Sequence, residues 1–272
     1  MSEPLSHTNY HDNSFNLEQA GNYVLLIQVK EASFDYAIAH DNRLLVYVQN
    51  TPLDELSSPK HLRGVLSASY KKVVIGLSAT ALTLVPDSLY DNDQAAAFGR
   101  LLDVQENENV LAEPLDGQNH LIYKIGANIF PAVEKFGLDN IVYTAQGWIK
   151  AIAGSSPPNS DLYLNIAGDT VHLLYFSFGS LRFYNRFEFK NADELVYFTA
   201  CVTEELALSA EETTLIVSGD AYEWDENVTR LKEFYANVQL NSLQVLELPS
   251  QVAAHKILPL AALSLCGSSE VR

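Results

Sequence analysis

The sequence, 272 residues long, predicts an α/β protein built from two copies of a β-β-β-α-β-α lobe. Three observations predict it. Asp161 to Lys190 reads as a three-stranded meander whose last strand has a two-residue period. In that strand Leu181, Phe183, Phe187 and Phe189 face one way, and Arg182, Tyr184, Arg186, Glu188 and Lys190 face the other. The same layout stands at Leu25 to Val48, and the shift of numbering that carries Leu25 onto Leu162 also carries Gln28 onto Asn165, Ser33 onto Thr170, Leu44 onto Leu181 and Tyr47 onto Tyr184. In both halves the meander is followed by helix, strand and helix in that order.

Residues 1 to 20 are polar and read as a flexible terminus; His7 and His11 have the spacing of a helical metal pair, but Asn9, Asn13 and Ser14 favour a mobile chain. The first meander follows, with Phe34, Tyr36 and Ile38 on the apolar face of its second strand and Asp41 and Asn42 at a turn. A short helix is predicted over Lys60 to Tyr70 and strand over Lys72 to Leu84, ended by Pro86, which cannot donate to a ladder. A helix to about Val104 would bury Leu89, Phe98, Leu101 and Leu102. Leu111 to Ile125 reads as strand broken at Asp116 and Gly117, and Asn128 to Phe136 as helix. Ile141 to Ala153 fits either strand or helix.

Gly154 to Ser160 is a linker of small, polar and proline residues, which sets the lobes at 21–155 and 156–272. After the second meander, Asn191 is placed to cap a helix to Leu208 with Leu195, Phe198, Val202 and Leu206 inward. Thr213 to Ser218 reads as a buried strand and Trp224 to Val238 as a helix burying Val228, Leu231 and Phe234. Leu243 to Leu248 reads as a last strand, and Ala253 to Leu265 as a final helix whose start Pro259 moves later.

A formal net charge of −17 excludes a nucleic-acid or anionic-membrane partner, either of which needs clustered Lys and Arg. There is no apolar run of membrane-spanning length and no secretory signal pattern at the N-terminus, so a cytoplasmic protein without membrane insertion is expected. Cys201 and Cys266 are expected as reduced, buried thiols rather than a disulfide or zinc site.

The element order resembles the actin-like ATPase (ribonuclease H-like) fold of actin, sugar kinases and heat-shock chaperones, with a layout closest to its pilus-assembly branch. The wording TLVPDSLYD at Thr83 to Asp91, LYLNIAGD at Leu162 to Asp169 and RFYNRFEFKNADELVYF at Arg182 to Phe198 also resembles an uncharacterised bacterial family of unknown function suspected of that fold. The likeness runs from about Tyr23 to Leu265.

The resemblance implies a nucleotide cleft in which each lobe's first turn reads Asp-x-Gly, the acid for magnesium or water and the glycine for phosphate approach. Here the acid positions are Gln28 and Asn165 and the glycine positions Lys30 and Ala167, with Gly168 one place late. An amide offers magnesium no formal charge. The glycine pair expected near adenosine is reduced to Val217-Ser218-Gly219-Asp220. Glu223, Asp225 and Glu226 beyond it read as the acids of a helix start.

Lys30 reads as a solvated turn lysine, Asp169-Thr170 as an ordinary tight turn, and His172 as a surface or interlobe residue rather than a base. Tyr184, on the charged strand face between Arg182 and Arg186, reads as solvated or as an interface anchor. No nucleophile or metal motif occurs, so neither a catalytic residue nor a metal site is assigned. The expectation is a non-catalytic actin-like protein without a cofactor, a scaffolding or interaction module with a protein partner and a possible homo-oligomer. The alternative is an atypical ATPase or nucleotide-binding protein using Lys30, Gly168, Asp169, Thr170 and Gly219.

Overall fold

The computed structural model describes residues 9–91, 95–105 and 108–267, so His7 lies outside the described residues. The chain divides into two compact units: one runs through Trp148 and takes back Val245–Val252 and the chain from Leu260, and the other comprises Ile149–Gln244 and Ala253–Pro259. The change of unit thus falls a few residues before the Gly154 to Ser160 linker, and the expected C-terminal lobe returns two segments to the first unit.

Unit 1 is built on a six-stranded sheet. Its strands are β1 (Tyr10–His11), β2 (Tyr23–Val29), β3 (Ser33–His40), β4 (Arg43–Pro52), β5 (Lys72–Leu77) and, after an insertion, β9 (Ile141–Tyr143), in the order β1-β4-β3-β2-β5-β9. β2, YVLLIQV, is apolar almost throughout because both of its faces are covered. The stretch expected to be a flexible terminus carries structure from Tyr10: β1 pairs antiparallel with the outer edge of β4, Tyr10 opposite Tyr47 and His11 opposite Val46. The one-turn helix α1 (Asp54–Ser57) follows β4, and the one-turn helix α2 (Arg63–Ser67) is the helical part of the expected Lys60 to Tyr70 helix.

The predicted strand Lys72 to Leu84 is two strands, broken at Ser78. β5 stays in the main sheet, whereas β6 (Ala81–Pro86) joins β7 (Asn109–Pro114) and β8 (Asn119–Ile125) in a separate antiparallel sheet ordered β6-β8-β7. Between β6 and β7 the described residues hold only α3 (Ala95–Gly99) and short 3-10 turns, and of the predicted stripe Leu102 is buried while Leu89 and Leu101 are exposed. α4 (Phe130–Val133) precedes β9. The ambiguous segment resolves into both readings: β9 ends at Tyr143 and α5 (Thr144–Gly154) starts at Thr144. Gly147 allows α5 to pass close to the C-terminal segment, since a Cβ there would overlap the Ala262 carbonyl and lie 2.8 Å from Leu263 N.

Unit 2 repeats the pattern with β10 (Asp161–Ala167), β11 (Thr170–Ser177), β12 (Ser180–Glu188), α6 (Ala192–Glu205), β13 (Thr214–Gly219), α7 (Glu226–Phe234) and β14 (Asn237–Leu240), its sheet ordered β12-β11-β10-β13-β14. The repeat holds in register. Leu25 faces Ile38 as Leu162 faces Tyr175, Ala37 faces Tyr47 as Leu174 faces Tyr184, and the ladder slips at the same place, after Ile38 and after Tyr175. Asn191 caps α6 by accepting the Glu194 N–H at 2.9 Å, and Leu195 and Val202 enter a core with Leu164, Leu215, Val217 and Leu231.

The helix expected to reach Val238 ends at Phe234, where Tyr235 turns extended and the chain enters β14. Phe234 is therefore half exposed beside Arg230, not inward. The predicted strand Leu243 to Leu248 is irregular apart from one bridge between Glu247 and Arg43. α8 (Ala254–Ala261) contains Pro259 rather than starting at it. Cys266 is buried as expected, but Cys201 is exposed. Among the described residues no helix is long and apolar enough to cross a membrane.

Candidate functional site

In unit 2 four of the five predicted residues come together, because β10 and β13 are parallel neighbours whose C-terminal ends carry the two turns. Their register sets Asn165 opposite Ser218 and Ile166 opposite Gly219. Gly168 holds φ +60° at the tip of the β10–β11 turn, and Gly219 holds φ +86° where the chain leaves β13. A Cβ on Gly219 would overlap the Ile166 carbonyl and lie 2.6 Å from Asn165 Oδ1, so only glycine lets the two turns approach.

The turns are tied by Asp220. Its N–H donates to the Ile166 carbonyl at 2.7 Å, and its carboxylate accepts the Gly168 N–H at 3.3 Å. The neighbouring backbone is likewise engaged: the Asp169 carbonyl accepts the Phe189 N–H at 2.8 Å, and the Arg186 guanidinium donates to Thr170 Oγ1 at 3.3 Å. Asn165, at the position where the resemblance implies an acid, is only 4% exposed, and its Oδ1 has no hydrogen-bond partner. The acids beyond the turn do cap a helix: Asp225 accepts the N–H groups of Tyr222 and Val228, each at 2.7 Å.

Lys30 occupies the equivalent turn of unit 1. It is not a solvated lysine: its side chain is 26% exposed, and its ammonium lies 2.8 Å from the Asp35 carboxylate, which is itself 7% exposed. Asp35 sits on β3 opposite Gln28, and its other oxygen accepts the Asn50 N–H at 2.7 Å. Sequence reading passed over Asp35 and gave Asp220 no role beyond its place after Gly219. Asp35 was within reach, since the short turn that sets Gln28 against Asp35 is visible in the sequence and both alternate away from Phe34 and Tyr36.

His172 and Tyr184 correct a second expectation. Both are buried, and His172 Nδ1 lies 2.8 Å from the Tyr184 hydroxyl. Burial, helped by the charge of Arg186, pushes the imidazole down to about 3, so it is neutral at physiological pH and not the surface residue expected. Among the described residues no group of three or more His, Cys, Asp or Glu side chains could hold a metal. A cavity of about 220 Å³ in unit 2, beside Asp161, Tyr163, Asn241 and Ser242, includes none of the five predicted residues.

A protein from Bacteroides thetaiotaomicron with actin-like ATPase fold and unknown function superposes with a TM-score of 0.77 at 20% identity, covering 93% of this chain and 99% of that one. The ethanolamine utilization protein EutJ from Carboxydothermus hydrogenoformans gives a TM-score of 0.47 at 9% identity, over 97% and 92% of the two chains. The AlfA filament protein of B. subtilis plasmid pLS32 gives 0.41 at 12% identity, over 91% and 100%. No curated protein matches the chain. The model of the family described as protein of unknown function DUF3822 matches residues 12–238, and with the strand order above it identifies this chain as a member of that family with the actin-like ATPase fold.

Proposed function

We propose that the chain is a non-catalytic, cytoplasmic actin-like protein that works through protein contacts as a scaffolding or interaction module, with no nucleotide cofactor and no metal. The observation that carries this reading is the Asp220 carboxylate on the Gly168 N–H. A turn of this kind recognises phosphate through backbone N–H groups. Here the chain's own anion takes the donor that a phosphate oxygen would need, and Asp169 adds a second carboxylate to the turn. A triphosphate brought there meets negative charge at short range, without a magnesium-binding acid at Asn165 to offset it.

Unit 1 supports the same reading. The one cation of its turn, Lys30, is neutralised by Asp35, so using it for phosphate would strand a buried carboxylate. On this reading Gly168, Asp169, Thr170 and Gly219 shape the turns of unit 2, and Lys30 holds the β2–β3 turn of unit 1.

The test is thermal unfolding with ATP or ADP and magnesium, alongside isothermal calorimetry. A ligand present at about one hundred times its Kd stabilises the native state by roughly 2.7 kcal/mol, which is several degrees in Tm. The expected outcome is no shift at millimolar nucleotide and no heat of binding. A saturable shift, lost in Gly168→Val, would replace this reading with the nucleotide-binding one.

A further inference from the structure

We propose that the cavity at the N-terminal end of β10 is a binding site for a primary ammonium group carried on a short carbon chain, with the Asp161 carboxylate as its counter-ion. The site is separate from the turn at Gly168. Asp161 and Ala167 are the two ends of β10, about 20 Å apart at the ordinary rise of a strand, so the proposal stands whether or not a nucleotide occupies that turn.

Strand register builds the floor of the cavity. Tyr163 of β10 stands opposite Ile216 of β13, and Ile216 opposite Gln239 of β14, so the three make one row across the sheet. Their neighbours Leu162, Leu164, Leu215 and Val217 turn to the other face and fill the unit 2 core. The row is left to line a cavity of about 220 Å³, walled by Ile152 at the end of α5 and by the chain from Leu240 to Leu243. Buried Asn241 fixes that wall: its N–H donates to the Val217 carbonyl at 2.8 Å, its Nδ2 donates to Ser218 Oγ at 3.1 Å, and its Oδ1 accepts the Leu243 N–H at 2.9 Å. The volume exceeds the roughly 150 Å³ that takes up benzene, which suits a ligand of about five to ten non-hydrogen atoms.

Electrostatics select the ligand. Among the described residues that line the cavity, Asp161 carries the only formal charge. Its carboxylate is half-buried and has no ion pair among the described residues; Oδ1 accepts the Ser160 hydroxyl at 3.1 Å and Oδ2 the Tyr163 hydroxyl at 3.4 Å. Burial, with the Asp161 charge beside it, pushes the Tyr163 hydroxyl up, so it stays a neutral donor and leaves the carboxylate its charge. A carboxylate has about four acceptor sites, and the two hydroxyls use two of them. What remains suits a cation. It does not suit a metal, because among the described residues no group of three or more His, Cys, Asp or Glu side chains could hold one. A guanidinium would approach both oxygens in one plane, and each already holds a hydroxyl. An ammonium is a compact charge with rotatable donors, which can meet one oxygen of Asp161 while its carbon chain lies along Ile152, Ile216 and Leu243. Two sources carry such a group: a lysine side chain of a partner protein, and a free small amine.

The test is a titration of the full chain with n-butylammonium chloride at constant ionic strength, followed by isoleucine methyl resonances, with 1-butanol as the uncharged probe of the same shape. Saturable shifts at Ile152 and Ile216 with a Kd of about 1 mM are expected, and 1-butanol should bind at least about tenfold more weakly. Asp161→Asn keeps an acceptor for the Tyr163 hydroxyl and removes the charge; it should weaken n-butylammonium about tenfold or more while methyl resonances away from the cavity stay in place. Should that variant fail to fold, the comparison with 1-butanol on wild type decides alone. Nα-acetyl-lysine methylamide separates the sources: binding as tight as n-butylammonium or tighter assigns the site to a lysine of a polypeptide, and weaker binding assigns it to a free amine, both with the ammonium site upheld. The proposal is overturned by the absence of saturable shifts at Ile152 and Ile216 up to about 50 mM n-butylammonium, by equal affinity for 1-butanol, or by an Asp161→Asn chain that binds as well as wild type.

Discussion

Lys30 Nζ and Asp35 Oδ2 stand 2.8 Å apart at the first turn of unit 1, while the other Asp35 oxygen holds the Asn50 N–H at 2.7 Å. This pair joins the β2–β3 turn to the far end of β4 and places the lysine in a structural role.

Lys30→Met is expected to lower unfolding free energy by about 1 to 3 kcal/mol, because Asp35 keeps a backbone donor but loses its countercharge in a buried site. Lys30→Met with Asp35→Asn should recover part of that loss. Urea unfolding of the three proteins measures it, and an unchanged midpoint for the single variant would contradict the pair's role.

Gly219→Ala is expected to cost more than about 3 kcal/mol or to prevent folding of unit 2, since the new methyl meets the Ile166 carbonyl and the backbone sits at φ +86°. Gly154→Ala is the control: a Cβ there meets nothing within 4 Å, and α5 should be undisturbed. Soluble yield and Tm of the two variants separate a steric requirement from a general sensitivity to losing glycine.

The buried imidazole of His172 ties stability to pH. Its pKa falls from about 6.5 in the unfolded chain to about 3 in the folded one, so the unfolded state takes the proton first. The neutral form's contribution is complete above about pH 6.5 and is lost as pH falls toward 3, at up to about 1.4 kcal/mol per pH unit. His172→Gln, which cannot titrate but can still meet the Tyr184 hydroxyl, should flatten the wild-type decline between about pH 6.5 and pH 4 in urea midpoints. Parallel profiles for the two proteins would place the acid sensitivity elsewhere.

Asn191→Ala should lower stability by about 1 kcal/mol by removing the acceptor for the Glu194 N–H at the start of α6. Asn191→Asp should restore it. Equal Tm values for wild type and the alanine variant would mean that water or a neighbour replaces the cap.

The repeat was legible because its evidence is periodic. Leu25 and Leu162, Tyr47 and Tyr184 hold matching places in the ladders, and even the slip after Ile38 recurs after Tyr175. The polar side of each sheet was not legible. Alternation put His172 and Tyr184 away from the apolar face of their strands, and polar residues there suggested solvent, but both side chains are buried. Periodicity reports which residues share a face; it does not report whether that face is wet. The candidate site was half legible for a related reason. Gly168 and Gly219 could be marked as turn glycines, and the short turn between β2 and β3 put Asp35 within reach, yet Asp220 acts across strands distant in sequence and needed the register of β10 with β13. Leu89 and Leu101 failed because one long helix was expected where the described residues hold a short α-helix flanked by 3-10 turns, and a stripe has no inner side without a continuous helix.

Unit 1 takes back Val245–Val252 and the chain from Leu260, and Gly147 makes room for that last segment against Ala262. On a ribosome the first unit's sheet would therefore be translated long before the residues that close it, and would wait with an open flank while all of unit 2 was made. A nascent chain halted after Gln244 should leave unit 2 nearly complete and unit 1 protease-sensitive, so the half that starts first would finish last.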